Sequence, residues 1–203
     1  MINGLYIKAN APSGGSASVG ATLMKTGQTT SYRTGDDGDL EAGRATSFLV
    51  LASNNPFGNT NRFTDELGGT TYTNNIVIDW STYNGTNVLG YRRTTNGVDI
   101  TWNNAIDGAL ALSVGSFTSG WRLTNMFELS NLWNAESTTG FNYSPINITH
   151  TSGLWTSTTL QASSTLAWEN GVYGSINYTA KTTSINRRYI PCRTFTVTGT
   201  TLS

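Results

Sequence analysis

Residues 101–133 read TWNNAIDGALALSVGSFTSGWRLTNMFELSNLW, and their spacing decides the fold. Trp102, Ala105, Ile106, Ala109 and Leu110 fall at i, i+3, i+4, i+7 and i+8, one stripe of a helix. Thr101 stands where an N-cap belongs and Gly115 where a helix stops, so the spacing predicts a helix over 102–114. Gly120-Trp121-Arg122-Leu123 follows. A second helix is predicted over 126–133, with Asn125 as cap and Glu128, three residues on, closing a capping box. Met126, Leu129, Leu132 and Trp133 form its apolar side. Further along stand Leu154-Trp155-Thr156-Ser157-Thr158, an isolated Trp168, and Tyr189-Ile190-Pro191-Cys192-Arg193.

In that order the pieces resemble the domain family named after the C-terminal domain of the Lcl collagen-like adhesin, a branch of the C-type-lectin-like fold. That family shows a Trp-x-x-Ala helix, a Trp-Arg-Leu-Pro-Thr-x-x-Glu-Leu turn into a helix, a Trp-Ser-Ser-Thr strand and a closing Arg-Cys-Val-Arg-like strand. Trp102, Trp121, Arg122, Leu123, Glu128, Leu129, Trp155, Ser157, Thr158, Cys192 and Arg193 match it position by position. Thr26-Gly27-Gln28-Thr29-Thr30 and Asp36-Asp37-Gly38-Asp39-Leu40 resemble its opening segment. Three departures stand out: Thr124 replaces the usual proline, Pro191 lies near the start of the last motif, and residues 52–97 read as a long insertion. The resemblance spans roughly 26–51 and 98–196. It implies an α+β, C-type-lectin-like domain with two helices packed on a twisted antiparallel sheet and much ordered loop. Fold is implied more firmly than function.

Composition agrees with that class. The 203 residues carry 12 basic and 12 acidic side chains, so no net field draws the chain to nucleic acid or an anionic membrane. Gly, Thr, Asn and Ser make up 97 of the 203, which alone would suggest disorder. The six tryptophans and 11% aromatic content argue against it, being too many buried-type side chains for a solvated tail. Thr, Tyr, Trp and Val favour strands, while Gly and Asn punctuate turns. No window reaches the ~18 apolar residues of a membrane span.

Residues 1–20 are expected to be a short strand, Leu5 to Ile7, on a flexible linker PSGGSASVG, able to dock on a neighbouring subunit. Residues 21–203 form the domain. Ser47–Ala52 (SFLVLA), Ile76–Trp80 and Val88–Arg92 read as strands, with 53–75 turn-rich. Strands are also expected at Leu154–Leu160, Thr165–Glu169, Gly174–Thr182 and Arg187–Val197, joined by turns at Asn170-Gly171 and Ser184–Asn186. Met1 to Pro12 lacks the basic start and apolar run of a secretory leader. The expectation is either a leader already removed, giving an extracellular or cell-surface protein, or export by assembly into a phage particle. The weakly charged Gly/Ser/Thr/Asn composition favours the latter.

The residues offer little catalytic chemistry. His150 is the single histidine and no Gly-x-Ser-x-Gly elbow accompanies it. One His and one Cys do not supply a typical zinc site. Cys192, alone in a strand, reads as a small buried hydrophobe. Nothing nominates a glycosidase carboxylate pair. Trp102, Trp121, Trp133 and Trp155 lie on apolar faces and are expected in the core, with Arg122 and Arg193 as interior hydrogen-bond hubs. Trp168, Asn170, Tyr173, Asn177, Tyr178 and Arg188 fall in short polar strands and turns, where rings stack on sugars and amides bond hydroxyls. Tyr83, Tyr91 and Arg92 offer a rival surface.

The reading is therefore a non-enzymatic adhesion or decoration module on a virion surface. Its expected partners are neighbouring subunits and a host surface glycan or protein, with oligomeric or multivalent display and no nucleic acid or membrane insertion. The alternatives are a purely structural virion or appendage subunit and a carbohydrate-active enzyme. No cofactor is expected beyond structural calcium at Asp36, Asp37, Asp39 and Glu41 around Gly38. The simpler account of that cluster is a solvated turn capped by Asp side chains. If calcium binds there, millimolar calcium raises the melting temperature and a chelator lowers it. Melting unchanged under both returns the cluster to a solvated turn.

Overall fold

The computed structural model describes residues 34, 56–58, 61–132, 146, 153–171 and 175–203. Within them the chain is mixed α+β and mostly β, with two short helices and two curled, largely antiparallel sheets. No helix among the described residues is long and apolar enough to cross a membrane. The amino-terminal strand and linker, the Ser47–Ala52 strand, Trp133 and His150 lie outside the described residues.

The main sheet is built from β1 (Phe63–Thr64), β2 (Ile76–Asp79), β3 (Asn87–Arg92), β4 (Trp121–Leu123), β9 (Pro191–Thr198) and β10 (Thr201–Leu202). Its order is β1-β2-β3-β9-β10, with β4 also paired to β9. All these pairs are antiparallel. Residues 52–97, read as an insertion, thus supply three strands of this sheet. β2 is apolar without alternation until Asp79 because both faces are covered and all four residues are buried. On one face Val77, Leu89, Tyr91 and Cys192 pack with Leu129 and Leu132. On the other Ile76, Ile78 and Val88 pack with Trp80, Trp121 and Phe195. Gly90 makes that second face possible. A Cβ there would stand 2.5 Å from the Phe195 ring and 2.9 Å from Ile78 Cδ1, so only glycine lets the ring lie across β3.

The second sheet has the order β7-β6-β5-β8, from β5 (Gly153–Thr159), β6 (Leu166–Asn170), β7 (Ile176–Ala180) and β8 (Arg187–Arg188). β5, β6 and β7 form an antiparallel meander, and β8 runs parallel to β5. The single strand expected over 187–197 is two strands. Pro191 begins the second, lacking a donor for ladder pairing, and the chain changes sheets between Arg188 and Pro191.

Helix α1 (Trp102–Leu110) ends four residues before the predicted Val114. Val114 instead pairs with Phe117 in an isolated bridge, and Leu112 and Val114 fold back onto the Trp121–Phe195 cluster. Leu110 is left 61% exposed, while Ala105 and Ala109 are fully buried against Leu123, Trp155 and Tyr189. Thr101 occupies the N-cap position but makes no side-chain cap bond. The N–H of Trp102 is satisfied by Lys181 O at 3.0 Å. Helix α2 (Met126–Ser130) stops short of the predicted 133 but begins as predicted, with the Asn125–Glu128 capping box formed. Trp121 and Trp155 are buried, in different clusters, and Trp102 is half-buried beside Trp155.

Replacing Trp155 with alanine empties the space between α1 and β5 and removes the donor to Ile100 O. The variant is expected to lose about 3–5 kcal/mol of unfolding free energy in a denaturant titration. A loss under 1 kcal/mol would contradict the packing described.

Candidate functional site

Each tryptophan brings a large apolar body and one N–H, and a buried N–H needs an acceptor. Four of the described indoles have one. Trp80 donates to Thr64 Oγ1 at 2.8 Å, Trp102 to Thr156 O at 2.8 Å, Trp121 to Phe117 O at 3.0 Å and Trp155 to Ile100 O at 2.8 Å. Trp168 is the exception. It is half-buried on β6, and no acceptor among the described residues takes its N–H.

Its setting follows from strand register. Trp168 stands opposite Tyr178 of β7, and the two rings meet edge to face, centroids 5.8 Å apart at 88°. Tyr178 is 56% exposed and Ile176, two residues before it on the same face, 49%. The β5–β6 turn, closed by Ser163 N–H to Leu160 O at 3.0 Å, forms the other wall. Trp168, Thr158, Thr159, Leu160, Gln161 and Ala162 line an open groove of about 580 Å³. The sequence nominated both aromatics but not the Thr158–Ala162 wall, whose polar, featureless letters carry no local signal.

The remaining nominated residues are scattered. Asn170 is buried, its amide donating to Ser130 Oγ at 3.1 Å, so it is removed from any ligand. Tyr91 is fully buried, with its hydroxyl donating to Glu128 O at 3.2 Å, and burial pushes that phenol well above its ordinary pKa. Neither serves a surface site. Asn177 is exposed but alternates to the face opposite Tyr178 and donates to Ser175 Oγ at 3.1 Å. Arg188 lies on β8, at the far edge of the sheet, beside Asp99 at 3.4 Å. Tyr83 packs edge to face on Trp80, and its hydroxyl donates to Gly85 O. Arg92 ends β3 and lines a separate pocket. Tyr173, Asp36, Asp37, Asp39 and Glu41 lie outside the described residues. Among the described residues no three His, Cys, Asp or Glu side chains stand together as a metal site.

Most carboxylates in the interior are committed to structure, the exception being Glu66, whose buried Oε2 has no hydrogen-bond partner among the described residues. Asp79 takes Arg62 in two bonds of 2.9 and 2.8 Å. Glu169 pairs with Arg187. Asp65 accepts from the N–H groups of Leu67 and Gly69 in its own turn. Glu128 accepts two bonds from Arg122, at 2.7 and 2.5 Å, and the N–H of Asn125 at 2.8 Å, and it lies 3.6 Å from Cys192 Sγ. Arg122 was expected to be an interior hub, but its side chain is 40% exposed and bonds chiefly the single carboxylate of Glu128. Arg193, expected in the same role, stacks its guanidinium on Phe117 and Phe195 at 4.9 and 4.7 Å, and its buried Nε and Nη1 have no hydrogen-bond partner among the described residues. The Cys192 thiol is pushed far up, first by burial and then by the Glu128 charge, so it stays protonated.

Compared with known proteins, the chain matches no family model and no curated sequence.

Burial pushes the Glu128 carboxyl up, but the bonds from Arg122 and Asn125 outweigh it and hold it below its ordinary value. A depressed carboxyl stabilises the fold above its unfolded pKa, about 4.3, and that stabilisation is lost as pH falls through the lower folded value. Glu128→Gln is expected to lose about 2 kcal/mol at pH 7 and to show a shallower fall of melting temperature than wild type below about pH 4.3. Parallel acid profiles for the two proteins would contradict the assigned role of Glu128.

Proposed function

We propose that this chain is a non-enzymatic, C-type-lectin-like recognition module, displayed in many copies on a virion, that stacks an uncharged sugar ring of a host surface glycan on Trp168 and Tyr178. One observation carries the reading: Trp168 keeps its N–H unpaired and part of its ring open in a mostly apolar groove edged by Thr158, Thr159 and Gln161, while every other described indole donates inward. A pyranose presents an apolar C–H face to an aromatic ring and hydroxyls at its rim. The indole N–H, Thr158, Thr159 and Gln161 suit those hydroxyls. A chain with no net charge has no long-range steering to rely on, so affinity comes from stacking and local bonds. Single sites of this kind are weak, and repeated display raises their effective concentration. The helices on either side of Trp121-Arg122-Leu123, with the capping box at Asn125, support the lectin-like part of the reading.

A structural subunit is the second reading, and β7 favours it. Among the described residues this strand is the edge of its sheet, its first three residues are exposed, and INYTA holds no Lys, Pro or bulge to discourage pairing with a neighbour's strand.

A multivalent form is expected to bind host cells at least a hundredfold more tightly than the monomer, on the order of the avidity that linkage supplies, with little dependence on salt. Trp168→Ala with Tyr178→Ala should weaken that binding at least about thirtyfold, the ~2 kcal/mol of a hot-spot aromatic, at unchanged melting temperature. A multivalent form that ignores host cells and glycan arrays alike would leave the structural subunit as the better account.

A further inference from the structure

The seven arginines among the described residues divide sharply by what faces their charge. Arg62, Arg122, Arg187 and Arg188 pair with Asp79, Glu128, Glu169 and Asp99. Arg93 and Arg193 lie over aromatic rings. Arg92 has neither: among the described residues no carboxylate or hydrogen-bond acceptor takes its guanidinium and no ring lies beneath it, although burial raises the pKa of the Tyr189 phenol and the Arg92 charge acts on that phenol to lower it. Arg92 is only half-exposed and borders a polar, partly open pocket of about 250 Å³. A half-buried guanidinium without a counter-charge is costly unless something else supplies one.

Three chain segments converge on that pocket: the Thr73–Asn75 turn, the end of β3, and the Ser113–Gly115 turn after α1. Its polar walls are Arg92, Thr73, Asn74, Asn75 and Ser113, with no carboxylate among them. Glu66 stands behind Asn74 and orients it, accepting the Asn74 amide N–H at 2.5 Å. Gly115 has φ +56°, and a Cβ there would lie 3.2 Å from Asn74 Cγ, so glycine lets this turn close onto the amide. The opposite turn holds Tyr72 and Asn75 at φ 55° and 56°, a region that bulky residues rarely occupy. Such strain persists where surrounding structure fixes it, and it clusters at binding sites.

We propose that this pocket binds one carboxylate-bearing sugar, a uronic-acid unit, through Arg92. The planar guanidinium matches a carboxylate in a two-bond fork, which an alcohol or a neutral sugar does not reproduce. The amides of Asn74 and Asn75 and the hydroxyls of Thr73 and Ser113 suit ring hydroxyls. The volume equals about eight waters at ~30 Å³ each, room for one monosaccharide rather than a chain of them. The pocket shares no residue with the Trp168 groove and sits against the other sheet, so this site does not depend on the groove reading.

The test is an NMR titration of the full-length, ¹⁵N-labelled chain with galacturonate, galactose and inorganic phosphate in turn. Galacturonate is expected to shift the amides of residues 73–75 and 113–115 and to bind at least tenfold more tightly than galactose or phosphate. Arg92→Gln should weaken galacturonate at least tenfold. Arg92→Lys, which keeps the charge but loses the fork, should recover only part of it. Phosphate binding as tightly as galacturonate would make this a general anion site and overturn the sugar assignment. Galacturonate binding unchanged in both variants, or absent in the wild type, would overturn the site itself. A response confined to the Trp168 indole would do the same while leaving the groove reading intact.

Discussion

Each buried indole must hand its N–H to an acceptor, and in this chain the acceptors hold the loops in place. Phe117 O, which receives Trp121, belongs to the bridge turn after α1. Ile100 O, which receives Trp155, lies in the lead into α1. Thr156 O receives Trp102 from α1 itself, so α1 is pinned to β5 from both ends of the exchange. Thr64 Oγ1 receives Trp80 and fixes the two-residue β1 to the end of β2. Nearly half the residues are Gly, Thr, Asn or Ser and bury little apolar surface of their own. Indoles that are both large and directional compensate, because each anchors a segment as well as filling space.

A second anchor joins the elements that the indoles leave separate. The Glu128 carboxylate sits where α2 begins, takes Arg122 from β4 and lies against Cys192 of β9, while its backbone carbonyl receives Tyr91 from β3. One residue therefore ties a helix start to three strands of the main sheet. Desolvation opposes the charge, and the guanidinium and the cap N–H offset it.

The parts legible in the sequence were those written in local periodicity. The start of α2 was legible because its cap and closing glutamate are three residues apart and bond each other. β2 and β3 were legible as apolar runs. What local pattern missed was decided by distant partners. α1 ends at Leu110, not Val114, because Leu112 and Val114 find better burial against Trp121 and Phe195 than a continued helix would give them. The strand over 187–197 splits because the chain leaves β5 after Arg188 and joins β4 from Pro191, two sheets taking successive parts of it. Among the nominated residues, Trp168 and Tyr178 do lie side by side with open surface, since isolated aromatics in polar strands stand out. Asn170 and Tyr91 were misplaced because neither letter reveals that α2 lies over it: Ser130 engages Asn170 and Glu128 engages Tyr91. The walls at Thr158–Ala162 and around Arg92 come from segments remote in sequence, and no spacing rule reaches them.

Trp80, Trp102, Trp121 and Trp155 hold the fold through their N–H bonds, and Trp168 is the indole proposed to meet a ligand. The indole N–H resonances of the ¹⁵N-labelled chain report on each separately as a neutral oligosaccharide from the host surface is added. The account predicts that the Trp168 resonance moves with saturation while those of Trp80, Trp102, Trp121 and Trp155 stay in place. Binding that moves the four and leaves Trp168 still, or an indole spectrum untouched at saturating ligand, would contradict it.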